Sequence, residues 1–167
     1  MNSKSNIILI GMSGAGKSTL GVLLAKALGK SFADTDIIIQ QKDGRLLQDI
    51  IDTDGIDTFL RIEEETVSAV EMTNTVIATG GSVVYSERAM EKLSTDGVCV
   101  YLHVEFEELS ARLKNITTRG IVFKNASTLK EVYEERLPLY EKYADITVRC
   151  TGNGIEESIE SILRNLK

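Results

Sequence analysis

Short, unbroken apolar runs alternate along this chain with longer stretches in which apolar residues recur every three or four positions. The first run, Asn6–Ile10, stops at Gly11 and has the length and continuity of a strand buried on both faces. Leu20, Leu23, Leu24, Ala27 and Leu28 then fall at helical spacing and predict a helix over 18–28. Phe32-Ala33, ending at Asp34, and Val76–Ala78, stopped by Gly80-Gly81, read as further strands. Val98–Val104, rich in β-branched and aromatic residues, is the strongest strand, and Ile146–Cys150 is the last. Helices are expected over 37–42, 46–51, 55–72, 86–93, 105–113, 128–143 and 155–166, with Pro138 interrupting its helix near the end. Within 55–72 the apolar stripe is Phe59, Ile62, Thr66 and Val70, and Glu63-Glu64-Glu65 fall mostly outside it as a solvated face. Weak periodicity over 114–127 predicts a long mobile loop. Strand and helix alternate throughout, so a parallel sheet wrapped by helices is expected. No repeat or linker intervenes, and 1–167 reads as one domain.

Composition narrows the class. A chain of 167 residues can bury about 70% of its unfolded surface, so it needs no disulfide or metal staple. Nineteen basic against 25 acidic side chains leave a net charge of −6, which argues against a general nucleic-acid binder but allows a local basic pocket. No apolar run approaches the roughly 20 residues of a membrane span. The polar start, Met1–Asn6, lacks the apolar core of a signal peptide, so a cytoplasmic protein is expected. Cys99 and Cys150 lie in separate apolar stretches and read as two small buried side chains in a reducing compartment.

The first strand runs into Gly11-Met-Ser-Gly-Ala-Gly-Lys17-Ser18, which satisfies G-x-x-x-x-G-K-[ST] between a strand and a helix. Glycines let successive N–H groups turn inward around an anion, and the helix N-terminus adds positive potential there. Gly14, Ala15, Gly16, Lys17, Ser18 and Thr19 are therefore candidate nucleotide contacts. Lys17 would reach the β- and γ-phosphates, and Ser18 would ligate Mg²⁺. No Asn-Lys-x-Asp stretch of a GTPase occurs, and the chain is short for a motor or AAA-type ATPase. A small-molecule kinase fits, and it needs a site for a hydroxyl.

Asp34-Thr35-Asp36 ends the second strand, where strand ends face the ligand crevice of such sheets. Alternate residues in extended backbone point opposite ways, so Asp34 can hold the Mg²⁺ water shell while Asp36 accepts the proton of an attacking hydroxyl. A plain turn with helix-capping Asp residues is the other reading of the same triplet.

With these residues the chain resembles the shikimate kinase family. The shared elements are Gly11–Thr19, Asp34-Thr35-Asp36, Phe59 through Glu64, Thr79-Gly80-Gly81, Arg119, and Arg136-Leu-Pro-Leu-Tyr140 followed by Ala144-Asp145. The resemblance implies a P-loop NTPase three-layer sandwich, α/β, with a five-stranded parallel sheet and a mobile lid at about 114–127. It also implies ATP- and Mg²⁺-dependent phosphorylation of a hydroxyl, shikimate to shikimate 3-phosphate. By the same resemblance Asp36 binds the substrate hydroxyls, and Gly80 and Gly81 offer it backbone N–H groups. Arg136 grips its carboxylate, Arg119 on the lid neutralises charge on the transferring phosphoryl group, and Arg112 lies near the adenine. A monomer is expected, with a small hydroxylated molecule as its partner and neither nucleic acid nor membrane. A kinase of another small hydroxylated metabolite and a non-catalytic nucleotide-binding protein are the alternatives.

Three positions depart from the family pattern. Leu60 stands where an Arg usually contacts the substrate carboxylate, and Arg61 is turned about 100° from it on a helix. Ser82 replaces the third glycine of Gly-Gly-Gly, and Gly120 follows Arg119 where a proline is usual. His103 reads as a structural histidine, Glu64 as a possible partner for a lid or pocket Arg, and Tyr140 and Tyr143 as packing at a helix end.

Overall fold

The computed structural model describes residues 4–114 and 120–167. Five strands form one parallel sheet: β1 (Asn6–Ile10), β2 (Ser31–Asp34), β3 (Thr75–Ala78), β4 (Gly97–His103) and β5 (Ile146–Arg149), in the order β2-β3-β1-β4-β5. Every residue of β1 and β3 is buried, which is why neither run alternates apolar with polar. Around the sheet lie α1 (Lys17–Leu28), α2 (Thr35–Asp43), α3 (Leu47–Asp54), α4 (Ile56–Ser68), α5 (Glu87–Asp96), α6 (Phe106–Leu113), α7 (Leu129–Tyr143) and α8 (Ile155–Asn165). A short 3-10 turn at Val83–Tyr85 precedes α5 and was not anticipated from the sequence. Among the described residues no helix is long and apolar enough to cross a membrane.

Caps set several helix starts. The Asp34 carboxylate accepts from the N–H groups of Asp36 and Ile37 and starts α2 two residues before the apolar pattern does. Ser86 and Thr128 cap α5 and α7 through their hydroxyls.

Two expectations are corrected. Pro138 does not interrupt α7, which continues to Tyr143. Proline removes one helix hydrogen bond, and the buried face of Val132, Tyr133, Arg136 and Tyr140 holds the element together across that gap. In α4 the buried face is Phe59, Glu63, Thr66 and Val67, so Glu63 is inside rather than on a solvated face. The segment 120–127 has no regular structure, yet Val122 is buried in a small cluster with Ile39, Ile50 and Phe59 that joins it to α2, α3 and α4. The rest of the expected lid, 115–119, lies outside the described residues, and Arg119 with it.

The larger apolar cluster sits on both faces of the sheet, drawing on β1, β3, β4, α1, α5, α7 and α8. β1 lies between β3 and β4, so the chain leaves β1 first to one side and later to the other. Loops following β1 and its neighbours therefore diverge at the carboxyl end of β1 and open a crevice there.

Candidate active site

Three strand ends deliver polar side chains to this crevice. After β1 the glycine loop wraps to Gly16, whose φ of 93° favours glycine, and enters α1 with no side-chain cap and no acidic residue in its first turn. The opening N–H groups of α1 thus keep their capacity to bind an anion. Lys17 is 7% exposed, and its Nζ is steered over the loop by the carbonyls of Gly11 and Met12, at 2.7 and 2.8 Å. Ser13, Gly14, Lys17, Ser18 and Asp36 line one cavity of about 280 Å³.

After β2, the Asp34 carboxylate serves two partners at once. One carboxylate oxygen caps α2, and the other accepts the Ser18 hydroxyl at 2.6 Å. Paired hard oxygens at the mouth of the phosphate cavity suit Mg²⁺, which takes one or two protein oxygens and completes its shell with phosphate and water. Among the described residues no group of three or more His, Cys, Asp or Glu side chains can hold a metal by itself.

After β3 the chain turns through Gly80 and Gly81. A Cβ at Gly80 would lie 2.7 Å from Asp36 Oδ1 and 2.7 Å from Glu63 Oε2, so only glycine fits beside this carboxyl pair. The Gly80 N–H donates to Thr35 Oγ1 at 3.3 Å, so it is engaged within the protein rather than open toward a ligand. A Cβ at Gly81 would lie 2.8 Å from Arg136 Nη1, so the missing side chain leaves the guanidinium room. Arg136, 1% exposed, donates to the Tyr85 hydroxyl at 3.2 Å and to the Val122 carbonyl at 2.7 Å. Tyr140, four residues on along the same face of α7, stacks on Tyr101 and donates to the Gly81 carbonyl at 2.6 Å.

Glu63 is the functional-site residue that sequence reading missed. It is 2% exposed, accepts the Ser82 hydroxyl at 2.7 Å on Oε1, and has no hydrogen-bond partner on Oε2 among the described residues. Burial pushes its pKa up to about 7; the Ser82 bond opposes this and the neighbouring Asp36 charge adds to it. It lies four residues after Phe59 on the buried face of α4, a spacing that by itself does not single it out from its two neighbouring glutamates. Glu64 accepts the Ser86 hydroxyl rather than an arginine, and Arg61 pairs with Glu65 on the exposed side of α4.

Arg112 donates to the Gly14 carbonyl at 3.0 Å and pairs with Glu108. It borders a cavity of about 210 Å³ shared with Ala15, Gly16, Thr19 and Asn153, at the back of the phosphate loop. His103 is edge-on to Tyr101 and within 3.3 Å of the Tyr133 hydroxyl, a structural setting. Cys99 and Cys150 are buried thiols whose pKa burial raises.

This assembly has counterparts of known identity. The family model for shikimate kinase matches residues 13–167. Shikimate kinase of Vibrio cholerae is 35% identical over 170 residues, covering 100% of this chain and 98% of the relative. That of Thermodesulfovibrio yellowstonii is 38% identical over 162 residues, 95% of this chain and 93% of the relative. The structure of shikimate kinase from Acinetobacter baumannii in complex with shikimate superposes with a TM-score of 0.88 at 27% identity, covering 99% of this chain and 94% of that one. With the phosphate loop at the end of β1 and the likeness extending along nearly the whole chain, the protein belongs to the shikimate kinase family, phosphotransferases that act on a hydroxyl group.

Proposed function

We propose that this chain transfers the γ-phosphoryl group of ATP to the 3-hydroxyl of shikimate, as a monomer in the cytoplasm. The observation that carries the reading is the convergence of Lys17, Ser18 and Asp36 on one cavity, with Asp34 bonded to Ser18 at its mouth and Arg136 buried beside Gly81. All of these belong to one chain, and the two buried thiols suit a reducing compartment.

Each residue has a task that follows from its setting. The loop N–H groups and Lys17 bind the β- and γ-phosphates and hold the γ-phosphorus facing Asp36. Ser18 and Asp34 are the protein oxygens available to Mg²⁺. When bound, Mg·ATP supplies the phosphoryl group, with the metal offsetting charge on its oxygens. Asp36 orients the substrate hydroxyl and accepts its proton as the new O–P bond forms. Arg136, held by Tyr85, takes the carboxylate of the acid. Arg119 completes the reading as the lid cation on the transferring group, and Arg112 borders the nucleotide base.

Steady-state assay of ADP release tests this, with Mg·ATP and either shikimate or a panel of other polyols and hydroxy acids. Shikimate should stimulate ADP release over the ATP-only background and outdo the panel. Asp36→Asn keeps the shape but cannot take the proton; it should lower kcat at least about a hundredfold and leave the KM for ATP within a few-fold. ADP release indifferent to shikimate, or near-normal turnover in Asp36→Asn, overturns the reading.

A further inference from the structure

We propose that Lys124 is a substrate-binding residue, the second cation of the carboxylate site, acting on the acid together with Arg136. The inference rests on shikimate as substrate. Glu63 and Ser82 also border a second cavity of about 280 Å³, together with Leu60, Tyr85 and Lys124, and no residue of the phosphate loop lines it. A ring acid that presents its 3-hydroxyl to Asp36 carries its carboxylate two ring carbons away, so the anion falls toward this side of the site.

That side is poor in cations. Leu60 is apolar, and the Ser82 hydroxyl already donates to Glu63. Arg61 borders the cavity, but its guanidinium pairs with Glu65 and its side chain is 61% exposed. Asp57, Glu63 and Glu64 also face the cavity and repel an anion; burial holds Glu63 toward its neutral form, and the charges of Asp57 and Glu64 make a single cation a weak grip. Two cations remain. Arg136 lies over the Tyr85 ring with its guanidinium carbon 5.2 Å from the centroid, and Lys124 Nζ lies 5.1 Å from the same centroid.

Gathering two like charges about one ring is unfavourable unless something negative is shared. The Tyr85 hydroxyl is bonded to Arg136 and meets the Glu135 carboxylate, and among the described residues no ion pair involves Lys124. Glu135 answers one of the two positive charges, and a ligand carboxylate answers the other. The backbone delivers Lys124 to the right place, because Val122, two residues earlier, is tied to Arg136 through its carbonyl. An exposed ammonium on a flexible stem can then swing from the ring face to the anion.

The test is steady-state kinetics at saturating Mg·ATP on wild type, Lys124→Ala and Lys124→Arg, with shikimate and its neutral methyl ester as acceptors. Lys124→Ala should raise the KM for shikimate about tenfold and hold kcat within twofold, the loss of one charge-assisted contact. Lys124→Arg should restore most of the affinity, and the KM for the ester should not respond to either change. A KM for shikimate within twofold of wild type in Lys124→Ala overturns the inference while the shikimate reading stands. An equal loss for acid and ester overturns it in favour of a packing role. Wild-type enzyme inert toward shikimate at millimolar concentration overturns both.

Discussion

Glu63 combines a hydrogen bond to Ser82 with a second oxygen that faces Gly80 alongside Asp36, deep inside the protein. Its pKa of about 7 against an ordinary 4.5 means the folded protein binds this proton more tightly than the unfolded chain. As pH rises from about 4.5 to about 7 the unfolded state gives up the proton first, so stability falls across that window and stays reduced above it. The cost at pH 8 is of order 3 kcal/mol. Glu63→Gln keeps the acceptor for Ser82 and removes the charge. Thermal melts should find the variant more stable than wild type at pH 8, with the gap closing toward pH 5. A gap that is constant with pH would show that the carboxyl does not titrate there. Leu60 and Ser82 take on meaning at the same scale: one carries no charge to the cavity wall, and the other is committed to a carboxyl.

Two helix ends do double duty. α1 presents its uncapped N-terminus to the phosphate cavity, and α2 begins at Asp34, whose second oxygen holds Ser18. The cap role of Asp34 and the metal role proposed for it are separable, because asparagine caps as well as aspartate but carries no charge. Asp34→Asn should melt within about 1 °C of wild type yet need markedly more Mg²⁺ for half-maximal turnover. Asp34→Ala should lose about 1 kcal/mol of stability as well. Melts combined with Mg²⁺ titrations of activity check both. In α7 the spacing of four between Arg136 and Tyr140 puts guanidinium and phenol on one face; the phenol anchors the Gly81 turn beside the guanidinium. Pro138 lies between them in sequence and leaves that face intact.

At the scale of the molecule, a ligand that binds only the folded chain must stabilise it. Mg·ADP at a hundredfold its Kd adds about 2.7 kcal/mol, which for a chain of this size raises Tm by about 5–10 °C. Lys17→Ala removes the cation that the loop carbonyls aim over the cavity, and should reduce that rise to under about 2 °C. Differential scanning fluorimetry with and without Mg·ADP reads the difference directly. A full shift in the variant would mean that the nucleotide binds elsewhere. Shikimate added alone should give a smaller rise, since in the proposed binding mode it reaches Arg136 but none of the phosphate loop.

The alternation of apolar runs with helical stripes determined the parallel α/β sheet, because strands buried on both faces must be apolar throughout and their crossover helices amphipathic. Local chemistry likewise determined the phosphate loop and the two roles open to Asp34, since both depend on residues a few positions apart. The side Glu63 faces was decided otherwise. Its helix is apolar on too narrow a stripe for spacing to say which of three consecutive glutamates turns inward, and packing of Phe59 against Ile39, Ile50 and Val122 set the rotation. The pairing of Glu63 with Ser82 spans 19 residues, and Tyr85 meets Arg136 across 51. Contacts of that range leave no periodic trace in the chain. They exist only once the sheet order has brought α4, the turn after β3 and α7 to one end of β1, and that end is where the proposed carboxylate site lies.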